Sequence, residues 1–388
     1  MSKLLNIAPG NPGVWWLWLA AALPLFGRTP ARAETPVTLA PPHYLGAPSC
    51  ASSSCHGGGG AHQNQYLVWS RRDFHSQRPV ATLATARSRQ IAAALAITDP
   101  STDATCTTCH APLSAVPADR RGPDISVTEG VSCECCHGPA ENWLRAHTRK
   151  DWTPADRVFA GMRDLQNLYV RANACVACHQ TLAVPLLQAG HPELLFELDG
   201  QCAAEPRHWV EKPAWNRAQT WYVGQAVALR ELSWQLNRET IPDQHLLARW
   251  QALVWLLEKL DGVDPALPGV GNLAISPSPG DFQAAQSGAD AAARAAAGLT
   301  WSADLAPTML ARLAATSGDF TTAPGEVAAH RAERLVLALD RLLLAQTTPV
   351  SPVASQTLND LFQEAQSIPD FNAATFATTL GQFARALK

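Results

Sequence analysis

From about residue 214 onward, apolar positions recur three and four residues apart, the spacing of helices that bury one face. The pattern predicts helices over Trp215–Leu236, Leu246–Leu260, Asp281–Ala297, Ala303–Ala315, Gly325–Gln346, Ser355–Ala365 and Ala373–Leu387. Asp340 and Arg341 stand among leucines, as at the edge of an amphipathic helix. A Pro/Gly-rich link, Gly262–Gly280, separates the second helix from the third. Alanine-rich helices with short connections suit antiparallel hairpins of a small bundle. Residues 43–205 read differently: rich in Gly, Pro and Ser, they carry only short helical pieces, including Val80–Ile97, Glu141–His147 and Pro154–Asn173. A further short helix, starting near His62 and carrying Trp69, is expected to end at His75. No stretch shows the strict alternation of a half-buried strand. The expected fold is all-α with few strands: a cofactor-bearing domain over 43–205, then a helical-bundle domain over 206–388.

The beginning of the chain has another pattern. Lys3 precedes the apolar run Val14–Phe26, and Ala31-Arg32-Ala33 supplies the small-x-small sequence that signal peptidase cuts after. Thirteen apolar residues fall short of the about 20 that cross a bilayer. Residues 1–33 are therefore expected to be a cleaved signal peptide, 34–42 an extended lead, and the mature chain periplasmic, with no membrane span.

Export of a chain with 10 cysteines would ordinarily suggest disulfides. The spacing points elsewhere. Cys106-Thr-Thr-Cys109-His110, Cys133-Glu-Cys135-Cys136-His137 and Cys175-Val-Ala-Cys178-His179 are three C-x-x-C-H segments. Two thiols on one turn add to the two vinyl groups of a haem, and the following histidine lies under its iron as proximal ligand. With 10 Cys and 12 His in 388 residues, fewer than roughly 0.01 such matches are expected by chance. Zinc knuckles would not place a histidine directly after every pair, and a thioredoxin-type pair would not recur three times outside a βαβ context. Cys50-Ala-Ser-Ser-Ser-Cys55-His56 is a longer variant, C-x4-C-H, in which two extra residues bulge between the thiols. The expectation is four covalently attached haems c, bound through Cys50, Cys55, Cys106, Cys109, Cys133, Cys136, Cys175 and Cys178, with His56, His110, His137 and His179 proximal. Cys135 and Cys202 remain over, either as a disulfide or as unrelated buried thiols.

Low-spin haems need a second axial ligand, usually Met or His. Beyond Met1 the chain holds only Met162 and Met309, so histidine must serve most sites, with lower potentials than His/Met ligation gives. His75, His147 and His191 are the candidate distal ligands, placed after Trp69, ten residues after His137, and within Gly190-His191-Pro192. His43, His62 and His208 are weaker candidates. His245 and His330 read as structural or exposed, against the alternative that one reaches across to cap an iron such as that of His110. All four motifs and three candidates fall within residues 50–191, too little protein to bury separated cofactors in cores of their own. The macrocycles must lie close together.

The formal charge of −3 grows more negative once the basic leader is gone, and nothing in the sequence suggests the basic face that nucleic acid requires. Redox proteins are the expected partners, with a basic docking patch as the complement of an acidic carrier. No dedicated catalytic motif is present. An electron carrier is the leading function. A reductase of a small nitrogen or sulfur compound at an open haem, or an electron-transfer subunit of a larger complex, are the alternatives.

These residues resemble the tetrahaem cytochrome c-554 family over about residues 43–240. The likeness rests on Tyr44-Leu45-Gly46, on Trp69, Ser70 and His75, on Glu129-Gly-Val-Ser-Cys133 through Cys136-His137-Gly138-Pro139, and on Gly190-His191-Pro192 with Phe196-Glu197-Leu198. The resemblance implies an all-α fold with stacked haem pairs and a carrier like those that take electrons from hydroxylamine oxidoreductase. It implies His75 as distal ligand at the haem of His137, His147 at that of His56, His191 at that of His179, and a five-coordinate haem at His110. The chain departs from the family in the x4 spacing of the first site, in Gly57–Gly60 after it, and in well over a hundred further residues.

Overall fold

The computed structural model describes residues 41–76, 78–126, 128–211, 215–270, 277–346, 349–367 and 370–387. The expected signal peptide, 1–33, and the lead as far as residue 40 lie outside the described residues. The fold is all-α: among the described residues the sole β feature is an isolated parallel bridge between Tyr44 and Arg121. Residues from Pro41 onward form one compact unit.

The first half is built of short helices: α1 (Gln65–Arg72), α2 (Arg78–Leu83), α3 (Ala86–Ala94), α4 (Ala104–His110), α5 (Cys133–His137), α6 (Pro154–Phe159), α7 (Leu168–His179), α8 (Val184–Gln188) and α9 (Leu198–Ala204). Three differences from the sequence reading have local causes. The segment 80–97 is two helices, because the Thr85 side chain caps a new start by accepting the Ser88 N–H. The segment 154–173 also breaks: Gly161 takes φ +99°, and Asn167 caps α7 through the N–H groups of Tyr169 and Val170. Residues 141–148 form turns instead of a helix, with Ala146 N–H donating to Trp143 three residues back.

The second half contains α10 (Arg217–Leu236), α11 (Gln244–Glu258), α12 (Pro279–Gly298), α13 (Leu305–Ala314), α14 (Gly318–Thr322), α15 (Gly325–Leu344), α16 (Pro352–Ala365) and α17 (Ala373–Ala386). Helix α10 is the axis. Every residue from Ala218 to Leu229 is buried, which marks a helix surrounded by others rather than one with a wet face. It packs along α12 and meets α7, α9, α11 and α15. Gly224 makes the α9 contact possible: a Cβ there would come within 2.7 Å of the Leu198 Cβ. The outer helices are amphipathic. On α15, Ala328, Leu335, Leu339 and Leu342 are buried while the other face carries charge.

One apolar core runs through these helices and reaches back to Leu168, Ala172 and Val176 of α7 and to Phe196 and Cys202. The motif region by contrast has only a scatter of buried apolar side chains, and few of its cysteines are buried.

Candidate haem-binding site

Each C-x-x-C-H segment lies on helix. The second occupies α4, the third is α5, and the fourth ends α7. Cysteines three apart on a helix share one face, and the histidine next to the second cysteine projects beside them. The longer first segment follows a 3₁₀ turn, Ala47–Cys50, and closes through turns: Cys55 and Gly57 N–H both donate to Ser52 C=O at 2.9 Å, and His56 N–H reaches Cys50 C=O at 3.3 Å. The two extra residues are absorbed in that loop.

The attachment segments meet in pairs that are remote in sequence. The Cys50 thiol lies near enough to Cys133 for the two to influence each other's ionisation, and so does the Cys109 thiol to Cys178. First and third sites are thus joined at one place, second and fourth at another.

The histidines meet as well. His56 and His147 stack with ring centroids 6.1 Å apart, His75 and His179 lie 6.0 Å apart, and His110 and His191 lie 6.5 Å apart. A metal–imidazole bond of about 2.0 Å on each side, with roughly 1.1 Å from each nitrogen to its ring centre, puts two centroids about 6.2 Å apart. The three gaps therefore suit an iron held between two imidazoles. His56–His147 is the pair that the resemblance implies. The other two differ from it: His75 faces His179 instead of His137, and His191 faces His110 instead of His179.

Outer hydrogen bonds orient these rings. Nδ1 of His56 meets Gln65 Oε1 at 3.0 Å, that of His75 meets Asp73 Oδ1 at 3.1 Å, and that of His110 meets the Pro79 carbonyl at 2.9 Å. Nδ1 of His147 meets the Leu144 carbonyl at 2.7 Å, and that of His191 the Pro192 carbonyl at 2.8 Å. A histidine ligand whose Nδ1 is engaged in this way presents Nε2 to a metal.

His137 is the remaining proximal candidate. Burial pulls its ring down to about 4, and His208 is the foremost of the neighbouring charges acting in the same direction. Burial also lowers His208 and His179. Neutral rings are what iron ligation requires. The Nδ1 atoms of His137 and His208 are both buried without a hydrogen-bond partner. His208 gave little sign in the sequence, where it follows Pro206-Arg207 with no motif around it. It lies beside Asp73 and Glu205, with ligand atoms within 4.8 Å of one another. Burial and the nearby Asp73 carboxylate raise Glu205 to about 7.

The remaining candidates lie apart. His43 is exposed and bonded to Glu141 at 2.8 Å, and His62 is exposed on the loop before α1. Met309 is fully buried in the helical core, away from solvent and from the motifs. His245 and His330 pair with each other, their centroids 5.0 Å apart, next to Glu193 and Glu326. Cys135 lies against the Ser132 hydroxyl at 3.9 Å and Cys202 is buried in the core; both are free thiols.

Two residues outside the motifs tie the site together. Gly130, at φ +77°, lies so close to the Ser76 carbonyl that any Cβ would overlap it, and Val131 N–H donates to His75 C=O at 2.8 Å. Trp69 Nε1 donates to the Val131 carbonyl at 3.0 Å. The segment bearing His75 is thereby docked on the segment that leads into α5.

Residues 49–138, which span the first three attachment segments, match the family described as cytochrome c554 and c-prime. No curated protein and no solved structure matches the chain. The family match defines a c-type cytochrome, a protein that carries haem c and works in electron transfer. Over those residues the chain is similar to cytochromes of the c554 type. Its redox partners follow from that class, and among the described residues no helix is long and apolar enough to cross a membrane.

Proposed function

We propose that the chain is an exported, periplasmic carrier with four haems c, taking electrons from one redox protein and delivering them to another. Cys50/Cys55, Cys106/Cys109, Cys133/Cys136 and Cys175/Cys178 hold the haems, with His56, His110, His137 and His179 proximal. His147 serves the site of His56, His75 that of His179, and His208 that of His137. Haem c supplies a one-electron iron couple when attached, at the low potentials of bis-histidine ligation.

The observation that carries this reading is the contact between attachment segments. Cys50 lies near Cys133 and Cys109 near Cys178. Sulfurs that become thioethers at those points bring two attached groups side by side, as electron exchange requires. The protein's own part is to hold and orient. Asp73, Gln65 and the carbonyls of Pro79 and Leu144 fix ring directions, and the Asp73 carboxylate adds electron density to the imidazole it binds. The amount of apolar core is small where the motifs lie and large in the helical half, which supports a division between a cofactor-holding domain, 43–205, and a supporting helical domain, 206–388.

Reductive titration of the purified protein tests the proposal. Four one-electron equivalents per chain are expected, with all four returned to an external oxidant. Fewer than four would overturn the tetrahaem reading. Amino-terminal sequencing should begin at Glu34, and a start at Met1 would overturn cleavage.

A further inference from the structure

We infer that His191 is the sixth ligand of the iron at His110, so that this haem is closed. The inference rests on the tetrahaem reading above and decides between a carrier and a catalyst, because chemistry on a small molecule needs an open iron position.

The geometry of the pair matches the two others. His110 ends α4 and His191 lies on the turn after α8, with ring centroids 6.5 Å apart and planes at 72°. The angle between planes is free to vary about an N–metal–N axis; the separation is what a shared metal fixes. Both rings have Nδ1 engaged by a backbone carbonyl, Pro79 for His110 and Pro192 for His191. Each is left with Nε2 to offer. His179, which the resemblance pairs with His191, already faces His75.

The loop that carries His191 is held on both sides. Gly190 takes φ +97°, and its carbonyl accepts from Arg87 of α3 through Nη2 at 2.8 Å and Nε at 3.2 Å. After the histidine, four successive anchors come from the helical half. Glu193 bonds His245 at the start of α11. The Leu194 carbonyl accepts from Arg249 at 2.5 Å. The Phe196 carbonyl accepts from Arg334 of α15 at 3.1 Å and from Gln225 of α10. Glu197 pairs with Arg341 at 3.2 Å. Arg334 is buried, and its hydrogen bonds to the Phe196 carbonyl and the Gln225 amide oxygen offset part of the cost of that burial. What they fix is residues 192–197, and through them the position of His191. Arg249, Arg334 and His245 therefore hold the segment that follows His191.

Carbon monoxide is the probe. It binds ferrous haem only where a position is open or readily vacated. The dithionite-reduced wild-type protein should bind none, and its oxidised form should show no high-spin haem. His191→Ala should retain four haems by mass, turn one of them high-spin, and bind one equivalent of carbon monoxide. Added imidazole should restore the low-spin spectrum. The double variant His75→Ala/His191→Ala should show two high-spin haems, because the two histidines serve different irons. A wild-type protein that binds one equivalent, with His191→Ala binding no more than that, would overturn the inference. So would a His191→Ala spectrum without change, or a double variant with only one high-spin haem. A protein with fewer than four haems by mass would instead overturn the tetrahaem reading, so the two failures are distinct.

Discussion

Glu134 accepts the backbone N–H of Gly46 at 2.7 Å while its side chain is almost wholly buried. The same carboxylate takes the N–H groups of Leu45 at 2.9 Å and Ala140 at 2.7 Å. It stands between the two attachment cysteines of the third site and binds the strand of chain that enters the first. One side chain thus ties the chain just before Cys50 to the helix that begins at Cys133. Removing it strands several buried donors at once. Glu134→Ala should lower stability by roughly 3 kcal/mol, from charged hydrogen bonds worth about 1.5–3 kcal/mol each and not additive. Denaturant unfolding checks this, with Glu134→Gln expected to recover part of the loss.

His75→Ala should convert one haem from low-spin to high-spin and leave the haem count unchanged. Asp73→Asn is the subtler change. It keeps a hydrogen bond to Nδ1 but removes the charge that enriches the imidazole, so one midpoint potential should rise while the spin state holds. An unaltered set of potentials would show that Asp73 does not act on a ligand.

His245 gives a pH signature. Its hydrogen bond to Glu193, aided by Glu326, raises its folded value to about 9 from the ordinary 6.5. The stabilisation is fully present below pH 6.5, shrinks as pH rises, and is gone above about 9. The cluster is partly exposed, so its worth is at most about 1 kcal/mol. Melting temperatures of wild type and His245→Ala should differ at pH 6 and converge near pH 10. A constant gap would place the loss in packing instead of charge.

Gly224→Ala probes the seam between α10 and α9. The added methyl would meet the Leu198 Cβ at 2.7 Å and the Leu198 N at 3.1 Å, neither of which is a flexible chain end. Overpacking of this kind costs about 1–3 kcal/mol. Thermal unfolding should show that loss, whereas Gly298→Ala, whose Cβ meets nothing, should be near neutral.

The attachment motifs were legible because their chemistry is local: two thiols and a histidine on one turn. The helices after residue 214 were legible for a similar reason, since their apolar spacing is periodic, and the predicted and observed ends differ by a few residues. Two of the three ring pairs were not, His56–His147 being the one that the resemblance implies. His75 and His179 are about a hundred positions apart, and nothing between them marks that they face each other. His208 sits in no motif, and it comes beside Asp73 only through the path of the chain after α9. The anchors on the His191 loop come from α10, α11 and α15, where Arg249 and Arg334 look in sequence like ordinary polar-face residues of amphipathic helices. Only folding turns them inward.

Intact mass of the mature protein tests the tetrahaem cytochrome most directly. Residues 34–388 plus four haems of about 0.6 kDa each is the predicted value. Peptide mapping should place one haem on each segment, including Cys50–His56, and Cys55→Ser should cost one thioether there and none elsewhere. A mass corresponding to three haems, with the Cys50–His56 peptide unmodified, would contradict the account.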